Sequence, residues 1–148
     1  MLADLLHPER VQIGLALSDK EAALRAVASL LTMPEGTVNE EVVYDVLIER
    51  ERLASTGIGS AVAIPHGRYD GVEELRAAVA ICPAGVDFEA VDRLPVRILV
   101  GIVGPKSMPQ KHLAALAGVS RVLRSEEKRN ALLRAPDAES AYRTLISP

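Results

Sequence analysis

The chain has 148 residues, of which 49% are hydrophobic and 25% are charged, as is usual for a globular protein. Its formal net charge of −3 argues against nucleic acid as a main partner, because binding a phosphate backbone needs a basic surface. The single cysteine, Cys82, excludes an internal disulfide, and no apolar run approaches the ~20 residues of a membrane span. We therefore expect one cytoplasmic domain over residues 1–148, with no signal peptide and no direct membrane insertion.

The apolar pattern of the first third of the chain predicts a strand followed by two helices. The strand covers residues 11–17, and Ser18 and Glu21 then form a capping box at the start of a helix. Asn39 is expected to cap the second helix, because the two glutamates after it favour a helix N-terminus. The charged residues 49–52 alternate in sign and indicate a solvated helix end. The apolar face of this second helix is predicted to contain Val43, Val46, Leu47 and Leu53.

Three buried strands are predicted farther along, over residues 61–64, 77–81 and 96–103. The last is almost continuously apolar and is therefore expected at the centre of the sheet. Residues 83–85 and 87–94 are expected to connect the last two strands, which can pair in antiparallel orientation. Three more helices are predicted to start near Gln110, Ser125 and Asp137, the first with Leu113 on its apolar face. This order indicates a three-layer α/β domain with a central mixed β-sheet flanked by helices on both faces.

The most distinctive segment covers residues 50–68 and reads Arg-Glu-Arg-Leu-Ala-Ser-Thr-Gly-Ile-Gly-Ser-Ala-Val-Ala-Ile-Pro-His-Gly-Arg. It combines a glycine-containing loop, a short apolar strand and a histidine directly after a proline. Because Pro65 has no N–H to donate, we expect it to end strand pairing on that side. His66 is then held at the rim of a sheet, where reactive groups of α/β proteins are often found.

This segment resembles the active-site pattern of the enzyme IIA domains of the bacterial phosphotransferase system, in the fructose, mannitol and nitrogen-regulatory class. That pattern reads roughly Arg-Glu-x-x-x-Ser-Thr-Gly-Ile-Gly, then a small apolar residue and Ala-Ile-Pro-His. The matching positions are Arg50, Glu51, Ser55, Thr56, Gly57, Ile58, Gly59, Ala63, Ile64, Pro65 and His66. The resemblance covers nearly the whole chain, is closest to the nitrogen-regulatory members, and implies their fold. Ala54 departs from the pattern, because a glycine often stands there, and it stiffens the loop slightly.

The resemblance implies that His66 accepts a phosphoryl group. Histidine suits this role near neutral pH, because much of it is unprotonated and one ring nitrogen has a free lone pair. Hydroxyls and backbone N–H groups near glycines can donate hydrogen bonds to an anion. The alternative for this loop is a plain tight turn before a buried strand. The predicted phosphoryl-stabilising residues are Ser55, Thr56, Gly57 and Gly59.

Two further residues are implied to act with His66. His112 lies in a His-Leu-Ala-Ala-Leu context that fits a second family histidine, which would hydrogen-bond the phosphoryl oxygens or orient His66. Arg50 matches an arginine that the family places near the phosphorylation site, and a guanidinium offers several donors to phosphate. The alternatives are an exposed helix histidine at position 112 and an ion pair of Arg50 with Glu49 or another neighbour.

Other sites are weaker hypotheses. Arg52 and Arg68 are secondary candidates for the phosphoryl site, and a basic residue near position 68 could contact a partner. A zinc ion could use His66 and His112, but carboxylates from elsewhere would have to complete the ligand set. We expect no metal and no organic cofactor.

The activity implied by the resemblance is that of a phosphotransferase that carries phosphohistidine. Nε2 of His66 would accept the group from the histidine-containing phosphocarrier protein HPr or its nitrogen-branch paralogue, and the group originates on phosphoenolpyruvate through enzyme I. Nδ1 must then be held protonated by a backbone carbonyl.

Three biological roles for the chain stay open. A regulator would change its protein targets with its phosphorylation state, and the absence of an attached IIB or IIC part favours this alternative. A sugar-transport component would pass the phosphoryl group to a cysteine of a fructose- or mannitol-type enzyme IIB. A degenerate binding module would keep the fold without being phosphorylated.

Overall fold

The computed structural model describes residues 2–34 and 38–148. These residues form six strands of one sheet, which are β1 (Val11–Gln12), β2 (Gly57–Gly59), β3 (Val62–Ala63), β4 (His66–Arg68), β5 (Arg76–Val86) and β6 (Val96–Gly104). They also form a short 3₁₀ helix (Pro8–Arg10) and six α-helices, which are α1 (Leu2–Leu5), α2 (Lys20–Leu31), α3 (Glu40–Leu53), α4 (Pro109–Leu123), α5 (Glu126–Leu133) and α6 (Ala138–Ile146). No helix in this described part of the chain is long and apolar enough to cross a membrane.

The sheet is mixed, and β6 lies at its centre. The strand order is β1-β5-β6-β3-β2, and β4 pairs with β6 farther along the edge that β3 occupies. β5 is antiparallel to β6, whereas β3 and β4 are parallel to β6 and β1 is parallel to β5. The predicted mixed sheet, its central strand and the antiparallel pairing of the two long strands are therefore confirmed.

Helices cover both faces of this sheet. Successive side chains of β6 point to opposite faces, so Leu99 and Val103 join one apolar cluster while Ile98, Val100 and Ile102 join the other. The first cluster contains residues of α2 and α3, and the second contains residues of α4, α5 and α6. The predicted three-layer architecture is confirmed.

The predicted cap of α3 is confirmed, and the predicted cap of α2 is wrong. Asn39 caps α3, and Ser125 and Asp137 cap α5 and α6, which start where they were predicted; each side chain accepts a backbone N–H three residues later. At α2 the cap is Asp19 rather than Ser18, and its carboxylate accepts the N–H of Ala22 at 2.8 Å. A carboxylate satisfies the same orphan donor as a hydroxyl and also interacts favourably with the helix dipole.

Two strand predictions need correction in length. The strand expected over residues 11–17 covers only β1, because the chain turns at Gly14, whose φ is +66°. Residues 83–85, expected in a connection, lie within β5 instead. The ladder between β5 and β6 is irregular between Ile81 and Val86, and such a bulge accommodates a proline and a positive-φ glycine inside a strand.

Two leucines that were predicted to face the core are exposed. Leu53 is 82% exposed at the last position of α3, and Leu113 is 68% exposed on α4. Val43 and Leu47, predicted on the same face as Leu53, are fully buried, so the apolar face of α3 ends before its last turn.

Candidate functional site

His66 is held by the backbone just before it. Its Nδ1 lies 2.6 Å from the carbonyl oxygen of Ile64. Because a carbonyl can only accept a hydrogen bond, Nδ1 carries the proton in this contact and Nε2 keeps a free lone pair. Burial is the main cause that lowers the pKa of His66, with Arg50 contributing in the same direction. The ring is therefore neutral near pH 7.

Pro65 interrupts strand pairing without ending it. Its carbonyl accepts the N–H of Ile102 at 3.0 Å, and pairing with β6 resumes at His66 in β4. The expectation that Pro65 ends pairing on this side is therefore wrong, because a proline lacks only the donor and keeps its acceptor. His66 therefore lies in the sheet, and backbone pairing with β6 holds both Pro65 and His66 in place.

His112 lies in the first turn of α4, directly beside His66. The two ring centroids are 5.6 Å apart, with an angle of 50° between the ring planes. His112 is only 6% exposed, which contradicts the alternative of an exposed helix histidine. Burial, followed by the proximity of His66 and Arg68, lowers the pKa of His112 to about 4. Among the described residues, its Nδ1 is buried without a hydrogen-bond partner.

The two rings open onto a cleft of about 840 Å³. Four cations and one carboxylate line it, namely Arg50, Arg52, Arg68, Lys106 and Glu49. The cleft is therefore strongly cationic although the chain as a whole carries a net charge of −3. A concave surface of one charge attracts and holds the opposite charge, so this arrangement suits a phosphoryl group.

Arg50 projects from the last turn of α3. Its Nη1 donates a hydrogen bond to the carbonyl of Ala54 at 2.9 Å. Within the described residues no ion pair joins Arg50 to Glu49, so the structure does not show that alternative. One nitrogen of the guanidinium is used by the backbone, and the remaining donors are available to an anion in the cleft.

The loop residues predicted to stabilise the phosphoryl group do not line this cleft. The Ser55 hydroxyl accepts the N–H of Gly57 at 3.1 Å and donates to the carbonyl of Phe88 at 3.3 Å. Thr56 donates both its N–H and its hydroxyl to the carboxylate of Glu51. These side chains hold the loop together, so their predicted role at the phosphoryl group stays a prediction that this placement does not favour.

The two glycines of the same loop have local reasons to be glycine. A Cβ at Gly57 would lie 2.6 Å from the Cβ and 2.9 Å from the Cα of Ala90, so the backbone would have to shift. Gly59 has a φ of +93° ahead of the turn that joins β2 to β3. Both observations agree with the tight-turn alternative for this loop.

Sequence reasoning missed Lys106, and it predicted the wrong environment for Glu51, which matches the family pattern. Lys106 lines the cleft from the loop before α4. The sequence indicates it only by its closeness to the helix that carries His112. Glu51 was assigned to a solvated helix end, yet it is only 5% exposed. Its position four residues after the buried Leu47 places it on the same face of α3, and this spacing could have identified it.

The described residues form no group of three or more His, Cys, Asp or Glu side chains that could hold a metal ion. The remaining histidine, His7, accepts the N–H of Glu9 through Nδ1 at 3.1 Å and caps the 3₁₀ helix. The cleft itself brings together two imidazoles of lowered pKa and the surrounding cations.

Comparisons with known proteins identify the family of the chain. The family model for "Phosphoenolpyruvate-dependent sugar phosphotransferase system, EIIA 2" matches residues 4–147. A nitrogen regulatory protein of Bradyrhizobium diazoefficiens is 33% identical over 147 residues, which cover 99% of this chain and 95% of that protein. The fructose-specific EIIA component of Haloferax volcanii is 32% identical over 126 residues, covering 85% of this chain and 82% of that protein.

A solved structure has the same fold. The nitrogen regulatory protein IIA-Ntr from Neisseria meningitidis superposes with a TM-score of 0.89 at 26% identity, covering 97% of this chain and 98% of that one. The match of the family model over almost the whole chain, together with the shared fold, shows the family. The chain belongs to the EIIA type 2 family of the phosphoenolpyruvate-dependent sugar phosphotransferase system.

Proposed function

We propose that this protein is a phosphocarrier and that Nε2 of His66 accepts the phosphoryl group from HPr or its nitrogen-branch paralogue. The observation that carries the proposal is the 2.6 Å contact of His66 Nδ1 with the carbonyl of Ile64, which leaves Nε2 as the nucleophile. The proposal includes phosphotransferase activity and the cytoplasmic location expected from the sequence.

The transfer step needs no base. The Nε2 lone pair attacks phosphorus, a new P–N bond forms, and the P–N bond to the donor histidine breaks with its electron pair returning to the donor nitrogen. His66 keeps its Nδ1 proton, so its ring becomes positively charged, and the carbonyl of Ile64 stabilises that charge. The lowered pKa of His66 favours this step, because only the neutral ring can attack.

The surrounding groups stabilise the charge on the phosphoryl oxygens. Phosphoryl transfer depends mainly on positioning and on electrostatic stabilisation, which the cations of the cleft supply. The ring of His112, 5.6 Å away between centroids, is within reach of the same phosphoryl group. We assign Arg50 and His112 as hydrogen-bond donors to it.

We favour a regulatory role downstream of this step, because the compared nitrogen regulatory proteins cover nearly the full chain. The second candidate is sugar transport, which the similarity to a fructose-specific EIIA component supports. A purified fructose-type enzyme IIB distinguishes the two. Rapid transfer from the phosphorylated chain to the IIB cysteine would establish transport, whereas no transfer would leave the regulatory role.

The proposed function is tested by incubating the protein with phosphoenolpyruvate, enzyme I and HPr, and by measuring the intact mass. We expect one acid-labile phosphoryl adduct on the parent protein and none on His66→Ala. His7→Ala is the matched control and should be phosphorylated like the parent. No adduct on the parent, with either the HPr or the nitrogen-branch donors, would refute the proposal and leave a binding module.

A further inference from the structure

A buried carboxylate lies behind the proposed phosphoryl site. The side chain of Glu51 is only 2% exposed, and its carboxylate forms an ion pair with Lys20 at 2.7 Å. It also accepts the N–H of Thr56 at 3.0 and 3.2 Å and the Thr56 hydroxyl at 2.5 Å. A buried charge is costly unless it is paired and fully hydrogen-bonded, and these contacts meet both conditions.

The contacts of Glu51 lead to both groups of the site. Thr56, which Glu51 holds, also contacts the strand before His66: its carbonyl accepts the N–H of Ile64 at 3.0 Å. The carbonyl of Ile64 in turn accepts Nδ1–H of His66 at 2.6 Å. Every link of this path is a hydrogen bond of ordinary length or shorter.

The same carboxylate also restrains the arginine. By bonding Thr56, Glu51 joins the last turn of α3 to the chain that follows it, across residues 54 and 55. The carbonyl of Ala54 in this short segment accepts a hydrogen bond from Nη1 of Arg50 at 2.9 Å. The proposed nucleophile and the proposed arginine therefore both contact backbone carbonyls that are connected to one buried carboxylate.

We propose that Glu51 is a positioning residue for phosphoryl transfer, acting with Thr56 and Lys20 to align the carbonyls that orient His66 and Arg50. This inference rests on the proposed phosphocarrier function. Glu51 does not line the cleft and does not touch the phosphoryl group. Its role is to keep His66 in the Nδ1–H form and to fix the direction of the Nε2 lone pair.

The test combines two variants that remove different parts of the network. Glu51→Gln keeps the size of the side chain but removes the charge that pairs with Lys20 and one of the acceptor atoms. Thr56→Val removes only the hydroxyl donor, and Thr56→Ser restores it. Glu41→Gln is the matched control, because Glu41 lies on the same helix and forms an exposed ion pair with Arg25 at 2.8 Å.

The first readout is the phosphorylation rate with phosphorylated HPr as donor. We expect Glu51→Gln to lower kcat on the order of tenfold to a hundredfold with little change in KM, because misplaced reacting groups slow chemistry more than docking. Thr56→Val should lower kcat in the same manner, Thr56→Ser should recover it, and Glu41→Gln should match the parent. An unchanged kcat in folded Glu51→Gln and Thr56→Val would overturn the proposal, even if both melt at lower temperature.

The second readout does not depend on phosphorylation. Nitrogen-15 NMR of the unphosphorylated protein reports which ring nitrogen of His66 carries the proton. We expect the Nδ1–H form in the parent and a mixture of both forms in Glu51→Gln and Thr56→Val. If the parent is never phosphorylated, the proposed function fails, but this readout still decides the positioning role. The parent spectrum retained in both variants would overturn it.

Discussion

Phosphorylation of His66 should raise the pKa of His112. In the free protein that pKa is about 4, because the ring is buried and lies beside His66 and Arg68. A phosphoryl group on His66 brings roughly two negative charges, and the Nδ1 proton that the ring keeps leaves one positive charge on it. The net change is therefore about one negative charge next to a ring whose centroid is 5.6 Å from that of His66. At an effective dielectric constant of about 20, one charge at this distance stabilises the imidazolium by about 3 kcal/mol, or about two pKa units. We therefore expect a pKa of about 6 or above in the phosphorylated state.

Nitrogen-15 NMR of the histidine rings measures this directly. The unphosphorylated protein can be titrated from pH 8 to 3.5, and the phosphorylated protein from pH 9 to 6 while phosphoenolpyruvate, enzyme I and HPr maintain the modification. We expect the His112 signals of the phosphorylated protein to move over the second range. The His66→Asn variant in the same mixture is the control. Signals of His112 that stay constant down to pH 6 would refute the contact between His112 and the phosphoryl group.

Three further outcomes follow from the geometry. Arg50→Gln should slow phosphorylation about a hundredfold in rapid-quench kinetics, because it removes a charged donor to the phosphoryl oxygens, whereas the exposed Arg25→Gln should not. Because the folded-state pKa of His112 is about 4 and its ordinary value is 6.5, the unfolded chain binds more protons between these values, and stability falls as the pH decreases. In urea unfolding, the parent should lose about 2 kcal/mol more stability between pH 7 and 4.5 than His112→Gln, because the lowered pKa of His66 contributes to both proteins. Ala61 has a φ of 64°, a left-handed backbone conformation that strains an alanine but not a glycine. Ala61→Gly should therefore raise the free energy of unfolding by about 1 kcal/mol without changing phosphorylation. A lower free energy of unfolding would contradict this strain.

The sequence was enough to predict that Arg50, His66 and His112 lie close together. Arg50 lies in the last turn of α3, His66 follows Pro65 after a buried strand, and His112 lies in the first turn of the helix after the central strand. Strong local patterns mark each of these positions, and the family resemblance joins them into one site. The structure brings all three to the same cleft.

The role of the loop between them could not be predicted in the same way. Ser55 and Thr56 look like free anion donors in the sequence, but their hydroxyls bond to Phe88 and Glu51. Glu51 itself stands in a run of alternating charges that hides its place on the apolar face of α3, where it is buried. A local sequence pattern shows which hydrogen-bond donors exist, whereas the tertiary fold determines which acceptors lie within hydrogen-bond distance of them.

The strand that carries Pro83 shows the same limit for the fold. Proline and glycine near a strand end usually mark a turn, so residues 83–85 were expected to leave the sheet. The irregular pairing between Ile81 and Val86 instead keeps β5 extended beside β6. Whether such residues end a strand or form a bulge depends on the partner strand, which the local sequence does not contain.

The central claim is that Nε2 of His66 carries the phosphoryl group, and phosphorus–nitrogen coupling in the phosphorylated, nitrogen-15-labelled protein tests it most directly. The account predicts a single phosphorylated histidine, with coupling to Nε2 of His66 and a proton retained on Nδ1, which contacts the carbonyl of Ile64. Coupling to Nδ1 of His66, or to a nitrogen of His112, would contradict it.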